Sequence, residues 1–279
     1  MRIKRFLKKN KIVMSIYNNM VAIYYYSLAE KNARKSKKLL SAADIDRIRE
    51  YKDIHKGERC FIIATGPSQN VHDLEMLKNE ITFTVNSGYK AYEKTQWRAN
   101  YYVLMDDNGG KHMNDVLNQK HHYDGIFCSA LLKNYISTGE EIKLADNASS
   151  VFLFDTFWNR LSSRMFSIAK FSDDISKVVY CGKTVVYACI QIAAYMGFTE
   201  IYLSGVECDY SKELMHSDIM NSLYEGEKKK MIRSGELMRR QFDEIAPELL
   251  KRNIKVFNAT RGGALESFPR VSLEEILNN

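Results

Sequence analysis

Four apolar segments of the chain, at residues 59–64, 81–85, 101–105 and 200–203, run directly into small or polar residues. In an open α/β sheet, ligands bind beyond the carboxyl ends of the parallel strands, so such residues can form one site. Turn residues would explain any one of these ends taken alone, but four together favour a ligand-binding site. The candidate nucleotide- or donor-binding residues are Thr65, Gly66, Pro67, Ser68, Asn86, Asp106, Ser204 and Gly205.

The first of these ends is the most specific. Gly66, Pro67 and Ser68 stand between an apolar strand and a helix predicted from residue 71. This arrangement suits a strand that delivers backbone N–H groups to an anionic ligand at the start of a helix. A tight turn with no ligand is the alternative.

Three further side chains could take part in chemistry. His216 lies on a loop after the fourth segment and could take a proton from a hydroxyl nucleophile, because histidine titrates near neutrality. Tyr210 could donate to a leaving phosphate, and Arg261, followed by Gly262 and Gly263, could reach an anion. The alternatives are a surface histidine, a packed tyrosine ring and an arginine exposed on a turn.

Several motifs are absent from the sequence. It contains no GxGxxG, GxxxxGK[ST], GxSxG or HExxH pattern, which excludes the standard dinucleotide fingerprint, the P-loop, the nucleophile elbow and the zincin helix. Five cysteines without a CxxC pair argue against a zinc site or a disulfide framework and fit a reducing cytoplasm. Asp106 and Asp107 are similar to the metal-binding acid pair of many sugar-nucleotide transferases, with a solvated turn as the alternative.

The elements that must position these residues alternate along the chain. Strands are predicted at 59–64, 81–85, 101–105, 125–129, 151–154, 200–203 and 254–257, and helices at 42–51, 71–78, 184–196 and within 212–252. Such alternation predicts an α/β fold with a mostly parallel sheet and helices on both faces.

The N-terminal segment differs from the rest. Residues 1–38 hold eleven basic residues against Glu30, a net charge of +10 in a chain of +7, so residues 39–279 carry −3. The basic character therefore belongs to an arm and does not indicate a nucleic-acid-binding core. Residues 12–29 are uncharged but rich in Tyr and Asn. A helix on an anionic membrane surface and a helix packed on the domain or on a second subunit fit them about equally, and a membrane span fits less well. We divide the chain into a basic helical arm, 1–52, and a catalytic domain, 53–279.

Five segments carry a resemblance to known proteins: KGERCFIIATGPS, FTVNSGY, WRANYYVLMDD, GFTEIYLSGVECDYS and NATRGGALESFPRV. Over residues 56–275 they resemble bacterial carbohydrate-locus proteins that are similar to 6-hydroxymethylpterin diphosphokinase and related to the motility-associated flagellin glycosyltransferases. The Gly-Pro-Ser turn, Asn86 and the segment EIYLSG also resemble, more distantly, the CMP-sialic acid-dependent sialyltransferases of Campylobacter type.

The sialyltransferase resemblance implies a Rossmann-like fold and an inverting reaction that needs no metal. It implies that Gly66, Pro67 and Ser68 lie at the cytidine nucleotide, and that Asn86 lies near the nucleotide and the donor sugar. It also implies His216 as general base and Tyr210 on the leaving phosphate. The sequence departs from that pattern at Thr65, where those enzymes have Asn, around Asp106, and in a shorter stretch before His216.

The leading function is therefore a glycosyltransferase of polysaccharide biosynthesis. It would move a nonulosonic acid from a CMP donor to a hydroxyl of a surface glycan or glycolipid, at the inner face of a bacterial membrane. One alternative is a diphosphokinase that acts on a pterin-like alcohol with ATP and Mg²⁺, the metal being held by Asp106 and Asp107. Another is a non-catalytic assembly protein on the membrane surface.

Deletion of residues 1–40 tests the role of the arm. We expect the shortened chain to remain folded but to stop sedimenting with anionic liposomes at low salt, because most of the positive charge is lost. Co-sedimentation of both chains with anionic and with neutral liposomes measures this. If the full chain also fails to sediment with anionic liposomes, the arm has another role. Oligomerisation is then the first alternative to measure.

Overall fold

The structure is a computed structural model, and it describes most of the chain from residue 37 onward. The described residues are 13, 16, 20, 27, 31, 34–35, 37–105, 107–133, 148–154, 156–158, 171–211, 217–220 and 228–278.

Seven parallel strands form the central sheet, in the order β5-β4-β3-β2-β1-β8-β9. Two further strands, β6 and β7, pair in parallel with each other in a separate small sheet. The bounds are β1 (Arg59–Ile63), β2 (Thr82–Val85), β3 (Tyr101–Leu104), β4 (Gly125–Ser129), β5 (Val151–Phe154), β6 (Thr156–Trp158), β7 (Val179–Cys181), β8 (Glu200–Ser204) and β9 (Lys255–Asn258).

Seven α-helices are described: α1 (Ala42–Arg49), α2 (Val71–Met76), α3 (Asp107–Gly110), α4 (Met113–Leu117), α5 (Val185–Tyr195), α6 (Lys228–Lys251) and α7 (Leu273–Leu277). Short 3₁₀ turns lie at Gly88–Glu93, Ala130–Leu132 and Ala148–Ser150. Several of the helix starts are fixed by side chains. Ser41 and Asp44 form a capping box at α1, and Asn70 and Thr184 cap α2 and α5.

The predicted α/β fold with a mostly parallel sheet is confirmed. The strands β2, β3, β4 and β5 are buried along their whole length, as continuous apolar runs require in a sheet that is covered on both faces. The elements that the sequence did not predict, β6, β7, α3, α4 and α7, have three to five residues each. A helix of four or five residues spans little more than one turn and shows no helical period, and a strand of three residues is shorter than the apolar runs that identified the other strands.

Alternate side chains of β1 point to opposite faces of the sheet, and each face has its own core. Cys60 and Ile62 belong to the cluster that contains α1, α5 and α6. Phe61 and Ile63 belong to the cluster that contains α2, α4 and α7. All four side chains are 0% exposed, so β1 is buried on both faces of the sheet.

The helix α1 packs on the edge of the sheet beside β5. Ile48 is 1% exposed, and the Arg47 guanidinium lies 4.5 Å from the centroid of the Phe152 ring. The Tyr51 hydroxyl donates to the carbonyl oxygen of Asp124. A helix that the proposed division assigns to the arm thus contacts the domain, while the boundary at residue 52 remains a prediction.

Most of the basic arm, including all of residues 1–12, lies outside the described residues. Among the helices that the structure does describe, none combines the length and the apolar character that crossing a bilayer requires.

Two matched substitutions test the position of β1 in the core. Ile62→Ala should lower the free energy of unfolding by about 2–5 kcal/mol, because it opens a cavity at a fully buried position. Ile54→Ala removes the same atoms from a side chain that is 47% exposed, and should change that free energy by less than about 1 kcal/mol. Urea unfolding of both variants gives the comparison, and equal losses of free energy would contradict the burial of β1 in the core.

Candidate active site at the junction of β1 and β8

The order of the strands reverses between β1 and β8. From β1 the chain builds the sheet in one direction through β2, β3, β4 and β5, whereas β8 and β9 lie on the other side. The two strands pair from Arg59 opposite Glu200 to Ile63 opposite Ser204, so their carboxyl ends lie side by side. In open α/β sheets this reversal opens a crevice in which ligands bind.

A cavity of about 250 Å³ lies at this point. Its walls come from the ends of β1, β2, β3, β7 and β8, the first turn of α5 and one side of α6. The described residues that line it are Ala64, Thr65, Gly66, Pro67, Val85, Asn86, Met105, Cys181, Gly182, Lys183, Thr184, Val185, Val186, Gly205, Val206, Glu207, Cys208, Asp209, Tyr210, Met231, Ser234 and Met238.

The turn after β1 uses its own backbone donors within the protein. Gly66 N–H donates to the carbonyl oxygen of Gly205 at 3.0 Å, and Ser68 N–H donates to Glu207 Oε1 at 2.7 Å. Gln69 N–H donates to the carbonyl oxygen of Gly66 at 3.1 Å, and Pro67 has no N–H. The sequence led us to expect these groups to face an anionic ligand, but in this structure they hold the turn to the loop that follows β8.

Glu207 is central to that contact. The residue is 8% exposed, and its carbonyl oxygen accepts from Ala264 N–H at 2.7 Å. A Cβ atom on Gly66 would overlap its carboxylate, with Glu207 Cδ only 2.6 Å away, and a Cβ on Gly263 would lie 2.6 Å from Glu207 Cα. Glycine at 66 and at 263 is therefore what allows the loops after β1, β8 and β9 to meet.

Asn86 ends β2 in the left-handed region, at φ 47°, a conformation that Asn adopts more readily than most residues. Its carbonyl oxygen accepts from the buried Tyr102 hydroxyl at 2.7 Å, and the same hydroxyl accepts from Tyr89 N–H at 3.1 Å. The Asn86 side-chain oxygen lies beside Gly109 of α3. The end of β2 is thus fixed by β3 and by the segment that follows it.

The opposite wall begins at Lys183 and Thr184, immediately before α5. The Thr184 hydroxyl caps α5 by accepting from Val186 N–H, and Lys183 N–H donates to Gln241 Oε1 of α6 at 2.7 Å. Sequence reasoning missed this wall, although the signal was present as a Gly-Lys-Thr segment directly before an apolar helix.

The third wall is apolar and comes from α6. Gly235 lets the loop after β8 approach this helix, since a Cβ there would lie 2.7 Å from the Cys208 carbonyl oxygen. The Tyr210 hydroxyl lies 3.7 Å from Met238 Sδ, a weak acceptor. Burial raises the pKa of the Cys208 thiol to about 12, so this residue is a neutral thiol and not a nucleophile at neutral pH.

The structure brings together six of the sequence-predicted site residues around the cavity: Thr65, Gly66, Pro67, Asn86, Gly205 and Tyr210. Ser68 and Ser204 are not among the described residues that line the cavity, and the Ser204 hydroxyl accepts from Gln69 Nε2 at 2.9 Å. His216 and Asp106 lie outside the described residues. The functional roles of all ten remain predictions.

Arg261 is not among the described residues that line the cavity. Its guanidinium makes a bidentate pair with Asp73, at 2.8 Å for each hydrogen bond, and also binds Glu274. Arg261 holds the pKa of the Glu274 carboxyl down at about 2. Ligand atoms of His72, Asp73 and Glu274 lie within 4.8 Å of one another, but this guanidinium already provides a cation for the two carboxylates. The predicted role of Arg261 as an anion ligand remains untested.

Comparison with known proteins assigns this chain to a family. The family model described as "6-hydroxymethylpterin diphosphokinase MptE-like" matches residues 31–213. This match confirms the resemblance to proteins similar to 6-hydroxymethylpterin diphosphokinase that the sequence predicted. No curated protein sequence matches the chain.

Two solved structures are similar to the structure of this chain. The MAf glycosyltransferase from Magnetospirillum magneticum AMB-1 is 16% identical with a TM-score of 0.47, over 83% of this chain and 38% of that one. A variant of the α-2,3/8-sialyltransferase CstII is 16% identical with a TM-score of 0.41, over 77% of this chain and 87% of that one. This chain therefore spans little more than a third of the length of the first protein.

Substitution of Gly66 tests the contact between the two loops. Gly66→Ala should lower the free energy of unfolding by about 1–3 kcal/mol, because the new methyl group must displace Glu207 or the Gly205 backbone. Gly109→Ala is the matched control in the same site, since its Cβ would come no closer than 3.3 Å to any neighbour. We expect that control to change the free energy by less than about 1 kcal/mol. Thermal and urea unfolding measure both, and a neutral Gly66→Ala would refute the close approach.

Proposed function

This chain belongs to the 6-hydroxymethylpterin diphosphokinase MptE-like family, and from this premise we propose that it is a glycosyltransferase with a nucleotide-linked donor bound between β1 and β8. The observation that carries the proposal is the cavity at the strand reversal, where a polar wall faces an apolar wall of Val and Met side chains. A nucleotide has two surfaces that match these walls, a planar base and a polar sugar phosphate.

We propose a CMP-linked nonulosonic acid as the donor and a hydroxyl of a glycan or glycolipid as the acceptor. Such a sugar has no hydroxyl beside its anomeric carbon, so its transition state resembles an oxocarbenium ion. The enzyme must therefore stabilise the departing phosphate and activate the acceptor. The bond from the acceptor oxygen to the anomeric carbon forms on the face opposite the breaking bond to phosphate, CMP departs, and the anomeric configuration inverts.

His216 is the proposed general base, and its neighbour in the chain supports this assignment. Ser217 N–H donates to the carbonyl oxygen of Thr65 at 3.0 Å, and the Ser217 hydroxyl donates to the carbonyl oxygen of Gln69 at 2.6 Å. Thr65 lines the cavity, so the residue that follows the proposed base is fixed beside the site. The base would take the acceptor proton and later release it to water.

Tyr210 is the proposed donor to the leaving phosphate. It lines the cavity, and the Met238 Sδ atom that lies 3.7 Å from its hydroxyl is a weak acceptor. The proposed reaction needs no metal, and the arm would hold the enzyme on the cytoplasmic face of an anionic membrane or on a second subunit.

A diphosphokinase is the second candidate, because the family description names that activity. It would transfer diphosphate from ATP with Mg²⁺ to a pterin-like alcohol. Calorimetric titration with CMP, CDP, UDP, GDP and ATP, with and without Mg²⁺, separates the two. Binding of CMP supports the glycosyltransferase, binding of ATP only with Mg²⁺ supports the diphosphokinase, and binding of no nucleotide favours a non-catalytic assembly role.

Substitution of the proposed base is the direct kinetic test. With a CMP-nonulosonate donor and saturating acceptor, His216→Ala should lower kcat by about 10²–10⁴ and leave CMP affinity nearly unchanged, because the imidazole acts on the acceptor. His122→Ala, at an exposed position, is the matched control and should retain full kcat. A His216 variant with near-normal kcat and a raised KM for the acceptor would remove this residue from proton transfer.

A further inference from the structure

Glu207 presents to the cavity a carboxylate oxygen to which none of the described residues donates. Among the described residues, only Ser68 N–H donates to its carboxylate, through Oε1. The second oxygen, Oε2, lies against Gly66, and no donor to it is found in the part of the chain that the structure describes. Oε2 is not one of the fully buried side-chain atoms that lack a hydrogen-bond partner among the described residues. Glu207 itself lines the cavity. A carboxylate provides about four acceptor positions, and largely buried ones are normally filled.

The position of this carboxylate is set before any ligand binds. The Glu207 carbonyl oxygen accepts from Ala264 N–H, its backbone is in close contact with Gly263, and its side chain is held by Ser68 N–H. An acceptor fixed in this way loses little conformational freedom when a ligand donor arrives, so its hydrogen bond contributes more to affinity.

The charge of the carboxylate also determines which part of a nucleotide can approach it. The turn after β1 has no N–H left to offer over residues 66–69, and its acidic partner repels a phosphate. A hydroxyl group, by contrast, can donate to a carboxylate in a strong charge-assisted hydrogen bond.

We propose that Glu207 is the residue that recognises the ribose of the nucleotide. Its Oε2 accepts a ribose hydroxyl, so that the ribose lies at the turn after β1 and the phosphate lies away from that turn. This inference rests on the proposed nucleotide site and adds to it the orientation of the ligand, and it makes the site selective for ribonucleotides over deoxyribonucleotides.

Calorimetric titration of the full chain with CMP, 2′-deoxy-CMP and 3′-deoxy-CMP tests the proposal. The wild-type chain should lose about tenfold or more in affinity when the recognised hydroxyl is removed, since a hydrogen bond to a charged group is lost. Glu207→Gln keeps an oxygen for Ser68 N–H and removes the charge. It should bind CMP about tenfold more weakly and discriminate little between CMP and the deoxynucleotides.

Asp209→Asn is the matched control. It removes the same charge from another residue that lines the cavity, whose Oδ1 accepts from Ser211 N–H and Ser211 Oγ. This variant should retain the preference for CMP over the deoxynucleotides. Thermal unfolding of both variants shows whether the fold is intact.

The other outcomes each overturn a defined part of the proposal. Equal affinity of the wild-type chain for CMP and both deoxynucleotides would refute ribose recognition and leave the glycosyltransferase proposal standing. Tighter binding of CMP by Glu207→Gln would mean that the phosphate lies beside Glu207. If UMP, GMP or AMP binds and CMP does not, the CMP donor is wrong. Titration with the nucleotide that binds and with its 2′-deoxy and 3′-deoxy forms then decides the role of Glu207. Binding of no nucleotide would overturn both proposals.

Discussion

The parallel pairing of β1 with β8 is the constraint on which the rest of the structure depends. These strands are separated by more than 130 residues, and their pairing divides the sheet into a part built from β1 and a part built from β8. The order of the strands reverses at this pair, and such a reversal opens a crevice at the carboxyl ends of the two strands. The cavity, the loops around it and the helices α5 and α6 are arranged about that crevice.

Contacts between loops then fix the shape of the site. Glu207 connects the loop after β8 to the turn after β1 through Ser68 and to the loop after β9 through Ala264. Ser217 and Met220 bind the turns after β1 and β2, where Ser217 N–H donates to Thr65 and Met220 accepts from the Ser87 hydroxyl. Such contacts limit the motion of the walls, and a site with fixed walls loses less entropy when a ligand binds.

Arg261, in the segment after β9, also connects separate parts of the chain. Its guanidinium binds Asp73 of α2, which is 4% exposed at the side chain, and Glu274 of α7. A buried carboxylate needs such a partner, because an unpaired charge of low exposure is strongly destabilising. Arg261 thereby joins the segment after β9 to α2, the helix that follows β1.

Local sequence patterns determined the secondary structure and the class of fold. The apolar runs of β1, β2, β3, β4 and β5 and the helical spacing of α5 are visible over four to eleven residues. The small and polar residues at the strand ends identified the correct edge of the sheet, because parallel strands carry their carboxyl ends to one side. The sequence also excluded the common phosphate-binding loops, because it contains neither GxGxxG nor GxxxxGK[ST].

Only the tertiary structure decided which groups are occupied and which remain for a ligand. The turn at Gly66–Ser68 looked like a set of free N–H donors, but Glu207, 139 residues away from Ser68, accepts one of them. Arg261 as an anion ligand stays a prediction, and only the structure shows that its guanidinium also binds Asp73, 188 residues away. The wall at Lys183 and Thr184 comes into position only through the packing of α5. Hydrogen bonds and ion pairs between residues so far apart have no local signal, since they depend on how the sheet brings the loops together.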